Sequence, residues 1–305
     1  MSEIALNERK SEFKDCGLIS VVMPTYKQKE LLHKAVESVL NQSYTNIELI
    51  VVDDNVSEDF RSENEKYFAE LNDSRIIYLQ NEKNLGSTGS RNRAIFAARG
   101  DYITFLDDDD VYDAQKVAVQ VEAMHAGMAD VSVCNMILLN EDGKIVDQRK
   151  RRYLKRNEPL LTAHLKYHIT GTDTMMFRAQ FLKDIGGFGD QDLGDEFYLM
   201  FKALQQDPKF VYVDYDGVYA IVHSQTGLSS GDNKIKTEQI LMTFKEQQFE
   251  KLSKRDVRYV KMRHHTVLAV AHKKNKHYVK CLGSLLKAFA YNGIGMLRIL
   301  TGSDR

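Results

Sequence analysis

The sequence predicts an α/β protein, a mostly parallel mixed sheet flanked by helices, with a helical C-terminal extension. Three observations carry that prediction. Short β-rich runs alternate with helix-period segments from Leu18 onward, three of the runs stop in polar residues, and beyond about residue 230 strand signals give way to charged helices. The first run, ISVVM, is closed by Pro24, which lacks a backbone N–H. Leu31, Leu32, Ala35, Val36, Val39 and Leu40 then fall on one helical stripe. Residues 47–52, apolar apart from Glu48, are expected as a strand buried on both faces and end in Asp53-Asp54. A charged helix leads to IIYL at 76–79, a polar loop to a helix over 90–98, and the strand over 102–106 runs straight into Asp107.

The second half reads less regularly. VSVCNMILL, the turn EDGK and IVDQRK predict a β-hairpin, 158–167 a short helix, and 174–177 another strand. A helix over 195–205 follows the loop IGGFGDQDLG, and FVYV and GVYAIV are expected as two final strands. The chain therefore divides into a lead-in (1–17), an α/β domain (18–230) and a helical extension (231–305).

Composition narrows the function. A chain of 305 residues, 43% hydrophobic, can bury a sizeable core, and a net charge of -1 argues against a nucleic-acid partner. The charge is unevenly placed: residues 251–305 hold 13 Lys/Arg against 2 Asp/Glu. Cys16, Cys134 and Cys281 are scattered without metal-site or disulfide spacing. The first residues carry charges where a signal peptide needs an apolar core, and no segment is apolar enough to span a bilayer, so a cytoplasmic location is expected.

In open α/β sheets ligands bind beyond the carboxyl ends of the strands, where Pro24-Thr25-Tyr26, Asp53-Asp54 and Asp107 to Asp110 all fall. Asp113, just ahead of AQKVAVQV, reads as a turn former or helix cap. Four consecutive carboxylates call for more, because their repulsion at a strand end needs a balancing cation, and Mg²⁺ or Mn²⁺ takes one or two carboxylates plus substrate phosphates.

In order, SVVMPTY, SVLNQSY, ELIVVDD, NLGSTGSRN, GDYITFLDDDD and GTDTMMFRAQFLKDIGGFGDQDLGDEFYLMFKAL resemble the inverting family 2 glycosyltransferases with the GT-A fold. The resemblance covers about 18–230. It implies a nucleotide-binding half (18–110) and an acceptor half (111–230), and a sugar moved from a nucleoside diphosphate donor, UDP-linked, to a hydroxyl acceptor on a glycan, lipid or protein. Pro24, Thr25 and Tyr26 are implied to line the nucleoside pocket, with Asp53 or Asp54 on the base or ribose and Arg91 near the base or diphosphate. The Asp-x-Asp element maps onto Asp107 and Asp109, Asp107 toward the ribose and Asp109 on Mn²⁺ or Mg²⁺; Asp108 is counted with the nucleotide residues, and His223 resembles a position close to the metal or diphosphate. The general base maps onto the Asp195-Glu196 pair. The family usually reads Glu-Asp there, and the spacing to Leu199 puts Glu196 in the catalytic slot. Lys27 stands where the family commonly has asparagine.

Several bland readings stand beside these: Tyr26 as packing, Arg91 as a solvated helix residue, Asp195-Glu196 as an acidic first turn complementing the helix dipole, and Gly186-Gly187 as a helix end rather than a close approach to sugar. A non-catalytic nucleotide or sugar-binding module on the same fold, or a sugar nucleotidyltransferase, are the rival functions; the second would need a glycine-rich basic loop that PTYKQKE lacks. In the basic tail, Leu282, Leu285, Leu286 and Phe289 share a stripe beside Lys280 and Lys287, with Met296, Leu297 and Leu300 beyond. That pattern suits contact with the inner face of an anionic membrane, a second subunit or the chain's own α/β domain.

Overall fold

Where hydrophobic runs have no polar alternation they must be covered on both sides, and the computed structural model, which describes residues 16–191, 193–222 and 231–302, shows them so. Strand β1 (Ile19–Thr25) is followed by α1 (Glu30–Leu40), β2 (Ile47–Asp53), α2 (Glu58–Leu71), β3 (Ile76–Gln80), α3 (Gly86–Ala97) and β4 (Tyr102–Phe105). The four strands lie parallel in the order β3-β2-β1-β4. Thr25 pairs with Asp53 and Asp53 with Gln80, so the carboxyl ends of β1, β2 and β3 finish flush. On α1, Leu32, Ala35, Val36 and Val39 are buried, and Leu31 and Leu40 form the half-buried margins of the predicted stripe.

The rest of the sheet is mixed. It is built from β5 (Val111–Tyr112), α4 (Lys116–Gly127), β6 (Val131–Leu139), β7 (Ile145–Arg149), α5 (Leu160–Tyr167), β8 (Met175–Arg178), α6 (Ala179–Asp184), α7 (Asp195–Leu204) and β9 (Phe210–Ile221). Strand β8 runs antiparallel to β4, and the order continues β6-β9-β5, with β7 paired to β6 as the expected hairpin. The antiparallel step has a functional consequence: the residues that precede β8 meet the residues that follow β4.

The last strand differs from expectation. FVYV and GVYAIV are one continuous strand, β9, parallel to β6. The polar link Asp214-Tyr215-Asp216 does not turn away, because the Asn135 amide on β6 donates to Asp214 (3.0 Å) and to Asp216 (3.1 Å). The extra residues are absorbed as register shifts around Asn135.

By internal contacts the chain forms two compact units, 1–150 with 170–222, and 151–169 with 223–305. The first holds the whole sheet. In the second, α5 joins the helices α8 (Gly231–Glu246), α9 (Lys254–Lys274) and α10 (Tyr278–Leu300). Ser253 caps α9 by accepting from the Asp256 N–H at 3.2 Å, and Lys166 of α5 bonds Asp256 at 2.9 Å. Met262 of α9 packs with Ala288 and Met296 of α10. None of the described helices is long and apolar enough to cross a membrane.

Candidate active site

The flush ends of β1 and β2 place Thr25 and Asp53 side by side, and the loops beyond them build one wall of the site. Asp53 is fully buried and satisfied by four donors. Its Oδ1 accepts from the Asn55 N–H (2.9 Å) and amide (2.7 Å), its Oδ2 from the Asn64 amide (2.8 Å) and the Tyr78 hydroxyl (2.6 Å). Burial, with Asp53 beside it, holds the Tyr78 phenol well above its usual range. Asp54 accepts three bonds, from the Asn81 amide (2.7 Å) and the Leu85 N–H (2.7 Å) on Oδ1 and from the Gly86 N–H (2.9 Å) on Oδ2. It thus sits at the N-terminus of α3, where the helix dipole favours a carboxylate. A carboxylate offers about four lone-pair sites, so Asp53 is saturated while Asp54 retains one on Oδ2. Asn81 also bonds Ser90 (2.9 Å), which ties this loop to α3.

Among the described residues, Arg91 is a cation that meets the run after β4. Asp107, at 38% side-chain exposure, meets the Arg91 guanidinium at 2.5 Å, and its N–H donates to Asp173 at 3.0 Å. Asp108 accepts from the Tyr26 N–H at 3.1 Å. Burial, reinforced by Asp109 and Asp107 and opposed by the Thr25 hydroxyl, pushes its carboxyl up to about 7. Asp110 accepts from the Ile221 N–H of β9 at 2.9 Å and hydrogen-bonds Asp173; burial and the same neighbours push it up to about 7 as well. Asp173 itself, in the turn ahead of β8, is held well above the carboxylate range by burial, then by Asp107 and Asp110. The repulsion expected among four carboxylates is therefore relieved in part by proton uptake and by Arg91. A cation is not its only remedy.

Arg91 joins the two acidic stations. Nη2 reaches Asp107, Nη1 reaches Asp195 at 2.9 Å, and the guanidinium lies 5.4 Å from the Phe188 ring. Burial alone would disfavour its charge, but Asp107 and Asp195 hold it firmly protonated. Asp195, first residue of α7, is pushed up to about 6 by burial, against the pull of Arg91. Its neighbour Glu196 turns the other way: Oε2 accepts from the Gly171 N–H (2.5 Å) and the Thr172 N–H (3.1 Å). Oε1 carries no hydrogen bond among the described residues. The segment 186–188 holds this corner together. Gly186 and Gly187, both at positive φ, close α6 with bonds from Gly187 N–H to the Leu182 carbonyl (3.0 Å) and Gly186 N–H to the Lys183 carbonyl (2.9 Å). Asn92 of α3 then clamps Phe188, accepting from its N–H (2.8 Å) and donating to its carbonyl (3.0 Å).

The arrangement is a set of acids at the carboxyl edge of a parallel sheet, joined by one arginine to a second acidic pair. The sequence profile of Glycosyl transferase family 2 matches residues 20–186, more than half of the chain. The chain belongs to glycosyl transferase family 2. Among family 2 relatives, it is 36% identical over 144 residues to Escherichia coli UDP-Glc:alpha-D-GlcNAc-diphosphoundecaprenol beta-1,3-glucosyltransferase WfgD, 46% of this chain and 55% of that protein. It is 30% identical over 143 residues to the Campylobacter jejuni GalNAc(5)-diNAcBac-PP-undecaprenol beta-1,3-glucosyltransferase, 47% of this chain and 45% of that protein. The matches thus span about half the length of these curated relatives. The crystal structure of S. aureus TarS 1-349 in complex with UDP-GlcNAc shares the fold, with a TM-score of 0.58 at 20% identity over 88% of this chain and 75% of that one.

Within this family 2 domain the structure joins Arg91, Asp107 and Asp195 in one hydrogen-bonded network, and beside it the Tyr26 N–H bonds Asp108, next to Thr25 at the end of β1. Pro24 lies in β1 immediately before it, and Tyr26 is 49% exposed. Asp109 is half-buried within the run, and His223 lies outside the described residues. No group of three or more His, Cys, Asp or Glu side chains converges as a metal cage among the described residues. Asp113 takes the expected turn role, accepting from the Gln115 N–H at 3.0 Å. Asp173 and the Gly171-Thr172 amides are members of the site that sequence reasoning misses. The signal is present in GTDTMMF, a polar turn entering a strand, but its proximity to Asp107 depends on the antiparallel β4–β8 pairing.

Proposed function

We propose that the chain transfers a sugar from a UDP-linked donor to a hydroxyl of a lipid-linked glycan, with inversion and with Mn²⁺ or Mg²⁺. The observation that carries the reading is the Arg91 bridge, which holds the aspartate run and the Asp195-Glu196 pair at opposite ends of one buried network in a family 2 domain. The diphosphoundecaprenol acceptors in the names of the E. coli and C. jejuni relatives support the acceptor class. Such an acceptor puts the reaction at the inner face of a membrane.

In this reading Pro24, Thr25 and Tyr26 flank the nucleoside, and Asp54, with its remaining lone pair, accepts the imide N–H of uracil. Asp53 acts behind it by fixing the loop. Asp109 presents a hard oxygen ligand of the kind Mg²⁺ and Mn²⁺ take alongside phosphates, with Asp107 beside it toward the ribose, and such an ion needs only one or two carboxylates rather than a closed cage; His223 is the second expected ligand. A bound ion would supply neutralisation of the charge on the departing diphosphate. Arg91 fixes the distance between the run and α7. Glu196, anchored through Oε2 by two backbone amides, keeps Oε1 for the proton of the acceptor hydroxyl. The hydroxyl oxygen forms its bond to the anomeric carbon as the bond to UDP breaks, so configuration inverts in one displacement.

The test is a panel of nucleotide sugars with a prenyl diphosphate-linked saccharide, with and without Mn²⁺, scored for nucleotide release and product. Glu196→Gln should lower turnover by roughly 10²–10⁴-fold, the usual contribution of a general base, with unchanged UDP binding. Full activity in Glu196→Gln with loss in Asp195→Asn would move the base to Asp195. Transfer indifferent to EDTA and to Asp109→Ala would overturn the metal.

A further inference from the structure

Helix α10 is apolar on two faces, and the described residues cover only one. Leu285, Ala288 and Met296 pack against Met262 of α9. Away from that seam, Val279, Leu282, Leu286, Phe289, Ile294 and Leu297 are exposed, Val279 by 88% and Phe289 by 64%. Isolated exposed apolar side chains need no explanation, but a continuous row along a helix of 23 residues does.

The charges beside the row select its partner. Between Val257 and Ser303 the sequence contains no Asp or Glu, while Lys280, Lys287 and Arg298 punctuate α10. The nearest acid, Asp256, is taken up by Lys166 and Ser253. At Asn292 the helix kinks (φ -164, ψ 89), and the Tyr291 carbonyl released there accepts from Arg258 of α9 at 3.0 Å. The kink opens a groove of about 680 Å³ with Lys254, Arg255 and Arg258 on one side and Phe289, Ile294 and Leu297 on the other. Cations above an apolar floor match a phosphate headgroup with its acyl chain. A second copy of the same face would instead bring like charges together.

We infer that α10 and this groove form a docking surface for an anionic phospholipid bilayer, the helix lying in the interface plane and the groove cations on lipid phosphates. The inference deepens the membrane-side reading of the proposed function and rests on it, but its test needs no sugar. The full chain is sedimented with phosphatidylcholine vesicles and with vesicles in which part of that lipid is replaced by phosphatidylglycerol. Binding is expected only to the anionic vesicles and to weaken with salt. Lys254→Ala/Arg255→Ala should weaken it by roughly tenfold or more, since each cation near such a surface contributes about 1 kcal/mol. Leu282→Glu/Leu286→Glu/Phe289→Glu, all at exposed positions, should abolish it with an unchanged circular dichroism spectrum and unchanged UDP release from the donor. Equal binding to both vesicles, binding to neither, or a triple variant that turns a dimer into a monomer while still binding vesicles would overturn the inference. A parent chain that transfers sugar yet binds no vesicles sinks the surface alone; a parent chain that binds anionic vesicles without transfer sinks the proposed reaction alone.

Discussion

Asp53-Asp54 and Asp107 to Asp110 stand at the ends of β2 and β4, the two strands that flank β1 in one sheet, yet they are solved differently. The first pair is surrounded by amides, backbone N–H groups and a phenol, seven donors in all, and each carboxylate is a fixed acceptor. The second group is surrounded largely by itself and by Asp173, with Arg91 as its guanidinium. A buried acid given donors becomes scaffold. A buried acid given other acids stays in want of a proton or a cation, which is the condition a reactive site needs.

The sharpest way to break this contrast is to remove the cation from the second group. Arg91→Met should cost about 3 kcal/mol, the lower end for breaking a buried ion pair because Asp107 is part-exposed, and should suppress transfer. Urea unfolding reads the first effect. Arg91→Lys should fall between, since a point charge cannot hold Asp107 and Asp195 with separate nitrogens. A stable, active Arg91→Met would show that the bridge is ornamental.

The same contrast separates the members of the first pair. Asp53→Asn sets an NH₂ against two of four donors and should cost about 2 kcal/mol, within the range for an unsatisfied buried group, while leaving UDP affinity nearly unchanged. Asp54→Asn should weaken UDP binding by about tenfold, or about 1.4 kcal/mol. Calorimetric titration with UDP checks both, and the reverse pattern would exchange their roles.

The balance of protons in the second group gives a pH dependence. A carboxyl raised in the folded state from its usual value to about 7 favours folding while protonated, and that contribution is lost as pH rises from about 4 through 7. Asp110→Asn removes it while keeping an acceptor for the Ile221 N–H. Relative to the parent chain in EDTA, the variant's gain should be absent below about pH 4, begin by about pH 5, and be on the order of 2–3 kcal/mol larger at pH 8 than at pH 5, each tenfold change in proton affinity being worth about 1.4 kcal/mol. Comparing variant with parent cancels the buried histidines, whose depressed values act in the opposite direction. A difference independent of pH would remove the shared proton from the account.

Legibility from sequence follows the same division. The strands β1 to β4 and the acids at their ends can be read because a parallel strand is one apolar run and its polar terminus is adjacent in sequence. Asp173 cannot, since it lies 66 residues from the Asp107 N–H it accepts from, and only the antiparallel placement of β8 unites them. Residues 151–169 likewise show a helix period without showing which unit the helix joins. The merging of FVYV and GVYAIV depends on one amide, Asn135, on another strand. In each case the missing information is a partner across the fold.

Lys27 is the smallest test and bears on how rigid the first wall is. Its φ of 54 lies in the left-handed region, and its N–H is held by Asn55 Oδ1 at 2.8 Å. That conformation costs lysine roughly 1 kcal/mol or more, whereas asparagine tolerates it through its short polar side chain. This gives a physical reason for the asparagine common at this position in the family. The Lys27 ammonium lies 4.9 Å from the centroid of the half-exposed Tyr26 ring, an attraction of modest worth at an exposed site. Lys27→Asn should therefore stabilise the fold by about 0.5 kcal/mol, because relief of the backbone strain outweighs the missing cation–π attraction, with UDP affinity unchanged. A destabilised variant would mean that the ammonium over Tyr26, rather than the turn, holds the edge of the pocket.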